Sequence, residues 1–315
     1  MNRTSPRVRA GHPPLLVAAC LALLTFGCGP DDGARDRNPD PGATGSGSEG
    51  ETLLPSGADS AGAGASRGSG SVCLQGGPFA AQGPVPVRGR LAATITGVTA
   101  LRWEQHEGCG RFVIDLGEGG MSGEGGGAGE ARVAVLRDVG VVRVTLPGIR
   151  SVDPDATDAT LGGPLARAAY VVWAPDEGST WIDIHLDGPA EASAIALDDP
   201  ARVVVDLRPG GDPLGGAPTT SRHVVVLEPG PGDASYPLHV LGYARTFEAN
   251  VVARLEQDGR QAPEKFTTAT AWVDAWGHFE LTLEGGPTGA VLLHVGEYSA
   301  RDGSWEGVAI DLVVR

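Results

Sequence analysis

Short stretches in which hydrophobic and polar residues alternate recur along the chain from about residue 90 onward. Residues 181–186 show the pattern clearly, because one set consists of Trp181, Asp183 and His185 and the other of Ile182, Ile184 and Leu186. A period of two places successive side chains on opposite faces of a β-strand. Other predicted strands lie at residues 91–96, 111–116, 132–136, 141–146, 202–207, 279–283 and 291–295. No segment offers a convincing amphipathic helix, so the pattern predicts an all-β protein.

Turn signals divide this β-rich part of the chain into two domains, each predicted to be a small β-sandwich. The first domain is predicted at residues 72–209 and the second at residues 222–315, with residues 210–221 as a linker. The second domain shows about seven short strands spaced about eight to twelve residues apart, which is typical of an immunoglobulin-like sandwich. Within it, Asp258 and Gly259 are predicted to form a tight hairpin turn.

The N-terminal region has the organisation of an export signal. Three arginines precede an apolar run at residues 15–28 that is too short to span a bilayer. The run resembles a bacterial lipoprotein signal, which implies a signal peptide at residues 1–27 and a lipid-modified Cys28. Thr25 departs from the usual leucine three positions before the cysteine, and Cys20, after residues 17–19, is the alternative lipidation site. The resemblance implies an exported protein, anchored by lipid to the extracytoplasmic face of a bacterial membrane.

Composition predicts a tether between this anchor and the folded part. Residues 28–71 are rich in Gly, Ser, Ala, Asp and Pro, and they contain too few apolar side chains to offset the entropy of ordering. We therefore expect a disordered segment that holds the folded domains away from the membrane.

The charge of the chain limits its partners. The formal net charge is −15, and removal of the signal takes away three arginines and no acidic residue, which makes it −18. A chain with one lysine and no basic stripe is not suited to nucleic acid. Anionic lipid would repel it, so membrane contact is predicted through the acyl chains alone.

The cysteines that remain after the signal and the anchor form an even pair. Cys73 and Cys109 would lie in an oxidising compartment, which favours a disulfide between them. The alternative is that the two are separate buried thiols. The chain has no C-x-x-C motif, so the pair indicates neither a redox site nor a zinc knuckle.

The first domain resembles the AMIN domain in its actinobacterial-type variant. The resemblance rests on residues 106–116 (HEGCGRFVIDL) and on residues 197–207 (LDDPARVVVDL), with Gly110 in place of the aspartate usual before the arginine. AMIN domains are small β-sandwiches that localise envelope proteins, typically by binding cell-wall glycan. The resemblance therefore implies peptidoglycan or another wall glycan as a partner.

The second domain resembles the immunoglobulin-like domain of bacterial spore-germination proteins, which often accompanies the GerMN module. The matching residues are 228–229 (EP), 237–249 (PLHVLGYARTFEA) and 299–304 (SARDGS). The family has no known catalytic residues and is regarded as an adhesion or interaction domain. The resemblance therefore implies a protein partner in the envelope. No GerMN module is present in this sequence, so a role in spores does not carry over.

Several side chains are candidates for binding. A glycan surface would combine aromatic platforms with arginine donors, and the candidates are Arg102, Trp103, His106 and Trp181; for a protein partner they are Tyr243, Arg245 and Glu248. The alternative for both sets is a structural role in the core or in surface ion pairs. Asp115 and Asp206 are interpreted as partners of strand arginines rather than as functional acids.

The sequence contains no recognisable catalytic motif or metal-binding constellation, so no catalytic residue, metal or cofactor is predicted. The expected function is that of a non-catalytic, lipid-anchored adaptor or adhesion protein of the cell envelope. The alternative is a cell-wall hydrolase, or an accessory to one, with a site that these motifs do not reveal. A solute-binding lipoprotein is a third possibility, but such proteins usually have larger α/β lobes.

Overall fold

The computed structural model describes Cys73 and residues 77–118, 130–174 and 179–315. The predicted signal, Cys28 and the tether lie outside these residues. The described part is all-β, as predicted, with short 3-10 helices at Arg137–Val139, Pro154–Ala156 and Phe247–Ala249. Across these described ranges, no helix has the length and apolar character needed to cross a membrane.

The first sandwich is built from twelve strands of the described chain. They are β1 (Gly83–Val85), β2 (Val87–Arg88), β3 (Gly97–His106), β4 (Cys109–Gly117), β5 (Arg132–Leu136), β6 (Val141–Pro147), β7 (Ser151–Val152), β8 (Asp158–Thr160), β9 (Ala166–Ala174), β10 (Ser179–Leu186), β11 (Ala190–Asp198) and β12 (Ala201–Pro209). One sheet has the order β2-β11-β12-β4-β3-β7, and the other contains β1-β5-β6-β10-β9 with β8 beside β9. The prediction of a strand at residues 91–96 is wrong, because β3 begins only at Gly97.

Period-two alternation fills the core between these two sheets. The aliphatic set of β10 faces inward from one sheet, and the corresponding set of β4 faces it from the other: Ile182, Ile184 and Leu186, and Phe112, Ile114 and Leu116. All six side chains are buried. This explains why each of the two strands tolerates polar residues only at the intervening positions.

The second sandwich contains ten described strands. They are β13 (Thr219–Thr220), β14 (Val224–Glu228), β15 (Gly232–Ala234), β16 (Leu238–Ala244), β17 (Asn250–Gln257), β18 (Arg260–Gln261), β19 (Lys265–Thr268), β20 (Trp276–Leu283), β21 (Gly289–Tyr298) and β22 (Trp305–Val314). One sheet has the order β15-β22-β21-β17-β18, with β19 beside β17, and it packs on β20-β16-β14-β13. The predicted hairpin turn is confirmed, since Gln257 pairs with Arg260 and both Asp258 and Gly259 have positive φ.

The two sandwiches share one sheet. Strand β20 pairs in parallel with β9, where Trp276 lies opposite Val172 and Gly277 opposite Trp173. The described sheet therefore continues from β1 to β13 through both halves of the chain. Its outward faces pack together in a further buried cluster: Val141, Val172, Ala174, Trp181, Val225, Leu227, Tyr243 and Trp276. The two sandwiches are consequently joined by a core and not only by a linker.

The predicted disulfide is confirmed. Cys73 and Cys109 are bonded across a sequence separation of 36 residues, and both are buried. Cys109 is the first residue of β4 and lies opposite His106 at the turn end of the β3–β4 hairpin. The disulfide therefore fastens the chain near the start of the first sandwich to this hairpin.

Candidate binding surface

The contact between the sandwiches contains a buried ion pair. Asp183 has no exposed surface, and its two carboxylate oxygens accept hydrogen bonds from Nε and Nη2 of Arg143 at 2.7 Å each. The guanidinium of Arg143 also lies 4.9 Å from the centre of the Trp181 ring. Burial raises the pKa of the Asp183 carboxyl, and Arg143 opposes that rise. The pair therefore belongs to the structure of the interface.

A hydrogen bond between His185 and Tyr243 crosses the same interface. Nε2 of His185 is bonded to the hydroxyl of Tyr243, and both residues have no exposed surface. The ring of Tyr170 lies 4.8 Å from that of His185 and 5.4 Å from that of Tyr243. Burial lowers the pKa of His185 from 6.5 to about 3, with a smaller contribution from the charge of Arg167. His185 is therefore neutral at neutral pH.

Acidification is expected to weaken this interface through His185. The unfolded chain takes up a proton on His185 near pH 6.5, whereas the folded chain resists protonation until about pH 3. The contribution of His185 to stability is therefore complete above pH ~6.5 and is lost as the pH falls, by about 1.4 kcal/mol per pH unit. The free energy of unfolding can be measured with denaturant at pH 7 and at pH 5. Its decrease between the two should be about 2 kcal/mol larger for the native chain than for His185→Gln.

His239→Gln provides the control for the replacement of a histidine by glutamine, because the side chain of His239 is exposed. The loss of stability on acidification that is removed in His185→Gln should persist in this variant. An unchanged pH dependence in His185→Gln would contradict the assignment.

Two of the three residues predicted to bind a protein partner, Tyr243 and Arg245, serve this interface instead. Tyr243 is buried, so its predicted role on an outer surface is wrong. Nη1 of Arg245 donates to Asp158 of the first sandwich at 2.8 Å, and its guanidinium lies 4.7 Å from the centre of the Trp276 ring. Glu248 is exposed. The partner that Tyr243 and Arg245 recognise is thus the other half of the same chain.

The predicted glycan residues do not form one surface. Arg102 lies on the outward face of β3, where it pairs with both carboxylate oxygens of Asp115, and Nε2 of His106 lies 3.4 Å from Glu104. Trp103 points to the opposite face and packs against the core of the first sandwich. Trp181 is only 6% exposed and lies between the sandwiches. The prediction of a shared platform is wrong because neighbouring strand residues face opposite ways and the face of Trp181 is covered.

Trp103 explains the glycine that departs from the AMIN pattern. A Cβ atom at Gly110 would lie 2.1 Å from the Trp103 ring. The indole therefore occupies the space that any larger residue would need, and its Nε1 donates to the carbonyl of Gly162 at 2.5 Å. These contacts give Trp103 a structural role.

Exposed aromatic side chains gather at one end of the second sandwich. Phe247 and Trp272 are 49% and 54% exposed, and their ring centres lie 6.1 Å apart in an edge-to-face arrangement. Val273, beside them in the chain, is 47% exposed. These three account for half of the six large hydrophobic side chains exposed in the described chain. We call Phe247, Trp272 and Val273 the aromatic surface.

The backbone beneath the aromatic surface is strained. Glu248, Ala249 and Val273 have φ values of 55°, 57° and 53°, in the left-handed region that side chains disfavour. For a β-branched residue such as Val273 this conformation is a clear outlier. Such strain of about 1–3 kcal/mol per residue is found preferentially at functional sites. The strain is the second observation that distinguishes this surface.

Two hydrogen-bonded anchors hold the strained segments. The Glu297 carboxylate accepts a hydrogen bond from the backbone amide of Phe247 at 2.8 Å. The hydroxyl of Thr270 accepts from the amide of His278 at 2.8 Å and donates to the carbonyl of Trp173 at 2.5 Å. Because Trp173 belongs to the first sandwich, that sandwich helps to position the aromatic surface.

A groove of about 590 Å³ runs beside the aromatic surface. Arg222 and Arg301 line it, and both side chains are exposed. Phe247 and Val273 form part of its wall, and Glu297 and Glu306 lie at its base with His223. Apolar rings beside guanidinium donors can stack on a ligand and hydrogen-bond to its polar groups at the same time.

The described fold is that of a β-sandwich protein. The model of one family, the immunoglobulin-like domain of bacterial spore germination, matches residues 223–304. This span contains the aromatic surface and Arg301, whereas Arg222 directly precedes it. The match confirms the predicted resemblance of the second domain. Comparisons with curated proteins and with solved structures gave no match.

Sequence reasoning missed the aromatic surface. Trp272 and Val273 lie between β19 and β20, in a segment whose sequence does not alternate. Two large apolar residues side by side in such a segment are the signal that could have indicated an exposed apolar surface. Val273 also has a positive φ, which the sequence does not indicate at a valine.

Proposed function

We propose that the protein is a non-catalytic, lipid-anchored adaptor of the cell envelope that binds wall glycan through the aromatic surface and the adjoining groove. The observation that supports this proposal most directly is the exposure of Phe247 and Trp272 beside two arginines. Sugar rings stack on aromatic faces, and guanidinium groups bind hydroxyl and carboxylate oxygens. The match to an immunoglobulin-like domain supports a binding role and leaves the ligand to be tested.

The glycan site would therefore lie on the second sandwich and not, as the sequence suggests, on the first. The first sandwich would then position the second through the shared sheet and the bond from Thr270 to Trp173. The predicted lipid at Cys28 and the tether would keep this rigid pair close to the membrane while it contacts the wall. The AMIN resemblance of the first sandwich remains a prediction.

Trp272→Ala and Phe247→Ala are expected to weaken binding to purified peptidoglycan sacculi at least tenfold, because each removes a central aromatic contact. The measurement is co-sedimentation of the segment Ala65–Arg315, which forms one compact unit. Each ring is about half exposed, so the variants should retain the circular dichroism spectrum and unfolding temperature of the native segment.

Phe266→Ala is the matched control. Phe266 is 56% exposed but lies on β19, outside the aromatic surface. This variant should sediment like the native segment. Sedimentation of Trp272→Ala at the native level would refute the aromatic surface as the glycan site. Absence of sedimentation in the native segment would exclude glycan as the ligand.

A further inference from the structure

Three potential metal ligands meet at the base of the groove. His223 directly precedes β14, Glu297 lies on β21 and Glu306 lies on β22. Nδ1 of His223 is 3.1 Å from Oε1 of Glu297 and 3.1 Å from Oε2 of Glu306. The three ligand atoms all lie within 4.8 Å of one another. We propose that these residues bind a divalent transition-metal cation of the zinc type.

The spacing of the ligand atoms fits such an ion. Zinc binds imidazole nitrogen and carboxylate oxygen at about 2.0–2.2 Å, so two ligands in a tetrahedral site lie roughly 3.3 Å apart. Both distances from His223 are close to this value, and the two carboxylate oxygens lie within 4.8 Å of each other. Glu306 retains 38% exposure, which leaves a further position open to water.

The strand register supplies an independent argument for a cation. Glu297 and Glu306 lie directly opposite each other in the antiparallel pair of β21 and β22. Like charges at such positions repel and destabilise a sheet. Glu297 is only 7% exposed, which strengthens this repulsion. A divalent cation bound between the two glutamates would offset both negative charges.

The second oxygen of Glu297 links the metal ligands to the aromatic surface. Oε1 faces His223, while Oε2 accepts the amide of Phe247 at 2.8 Å. The bound cation would fix the carboxylate that holds the strained segment at Glu248 and Ala249. This proposal is independent of the proposed glycan site. Zinc affinity can be measured in the absence of glycan, so either proposal can fail without the other.

The donor set selects among cations. A nitrogen ligand with two carboxylates suits zinc, whereas magnesium and calcium prefer oxygen ligands alone. The purified chain should therefore bind zinc at least tenfold more tightly than magnesium or calcium at this site. Equal affinity for calcium and zinc would overturn the assignment.

The test is isothermal titration calorimetry of zinc chloride into the purified full-length chain and its variants. His223→Gln and Glu306→Gln should each lose one zinc equivalent or weaken that step at least tenfold. Any zinc bound by other parts of the chain is common to all variants and cancels in the comparison. Native zinc stoichiometry and affinity in both variants would overturn the proposal.

Glu256→Gln is the matched control, because Glu256 pairs with His294 at 3.2 Å in the same sandwich. It removes one carboxylate from a histidine pair and should leave the zinc step unchanged. The circular dichroism spectra of the metal-free variants verify folding. Zinc should raise the unfolding temperature of the native chain and of Glu256→Gln by several degrees, and that of Glu306→Gln by much less.

Discussion

Arg143→Met is expected to destabilise the protein by about 3–5 kcal/mol at pH 7, because it leaves the carboxylate of Asp183 buried without its partner. Asp183 has no exposed surface, and the two hydrogen bonds from Arg143 satisfy both of its oxygens. The substitution also removes the cation that lies over the Trp181 ring. Equilibrium unfolding in urea measures the change in free energy of unfolding.

An exposed ion pair of the same form provides the control. Arg102 donates to both oxygens of Asp115, at 2.5 and 2.7 Å, but its side chain is 51% exposed. Surface pairs contribute less than about 1 kcal/mol, so Arg102→Met should have a small effect. Equal losses in the two variants would contradict the role assigned to burial.

The pH dependence of the Arg143 variant follows from Asp183. Burial raises the folded-state pKa of this carboxyl, and loss of Arg143 raises it further. An acid whose folded pKa exceeds its unfolded value of about 3.9 favours folding at low pH and loses that contribution as the pH rises through the folded pKa. The penalty of Arg143→Met should therefore shrink toward pH 4. Adding Asp183→Asn should recover part of the stability at pH 7.

The sequence correctly predicts which side chains face the inside of each sandwich. It does not predict which side chains on the outer faces are covered. Alternation in residues 181–186 correctly separates the aliphatic set from Trp181, Asp183 and His185. It does not show that a second sandwich covers the latter set, because the pairing of β9 with β20 joins residues about one hundred positions apart. Trp181 was therefore assigned to a surface, although it is buried.

Ion pairs along the strands were partly predictable. Asp206 pairs with a strand arginine, as predicted: Nε of Arg111, on the neighbouring strand, lies 2.8 Å from Oδ1 of Asp206. Asp115 pairs with Arg102 rather than with Arg202, although Arg202 lies opposite it in the sheet. Pattern alone identifies the strands that carry the charges, whereas the choice between two neighbouring arginines depends on side-chain direction.

The proposed metal ligands illustrate the same limit. His223 is separated from Glu297 and Glu306 by most of the second domain, so their spacing in the sequence resembles no metal motif. The register of β21 and β22 places the two glutamates opposite each other, and the position of β14 brings His223 to them. A site made by three strands is visible only once their order is known.

Removal of the disulfide by Cys73→Ala with Cys109→Ala is expected to destabilise the protein by about 3–4 kcal/mol. A bond that closes a loop of this length restricts the unfolded chain by roughly that amount in the chain-entropy model. Both sulfurs are buried, and the sequence separation is 36 residues. Urea unfolding of the oxidised native chain and of the double variant measures the difference.

Reductant separates the effect of the bond from that of the lost side chains. It should lower the urea midpoint of the native chain toward that of the double variant and leave the double variant unchanged. Identical midpoints for the oxidised native chain and the double variant would contradict the prediction.

Cys73 lies between the predicted lipid anchor and the first sandwich, so the bond to Cys109 determines where the tether leaves the fold. Loss of the bond should therefore increase proteolytic cleavage near the start of the sandwich, while the second sandwich keeps its protection.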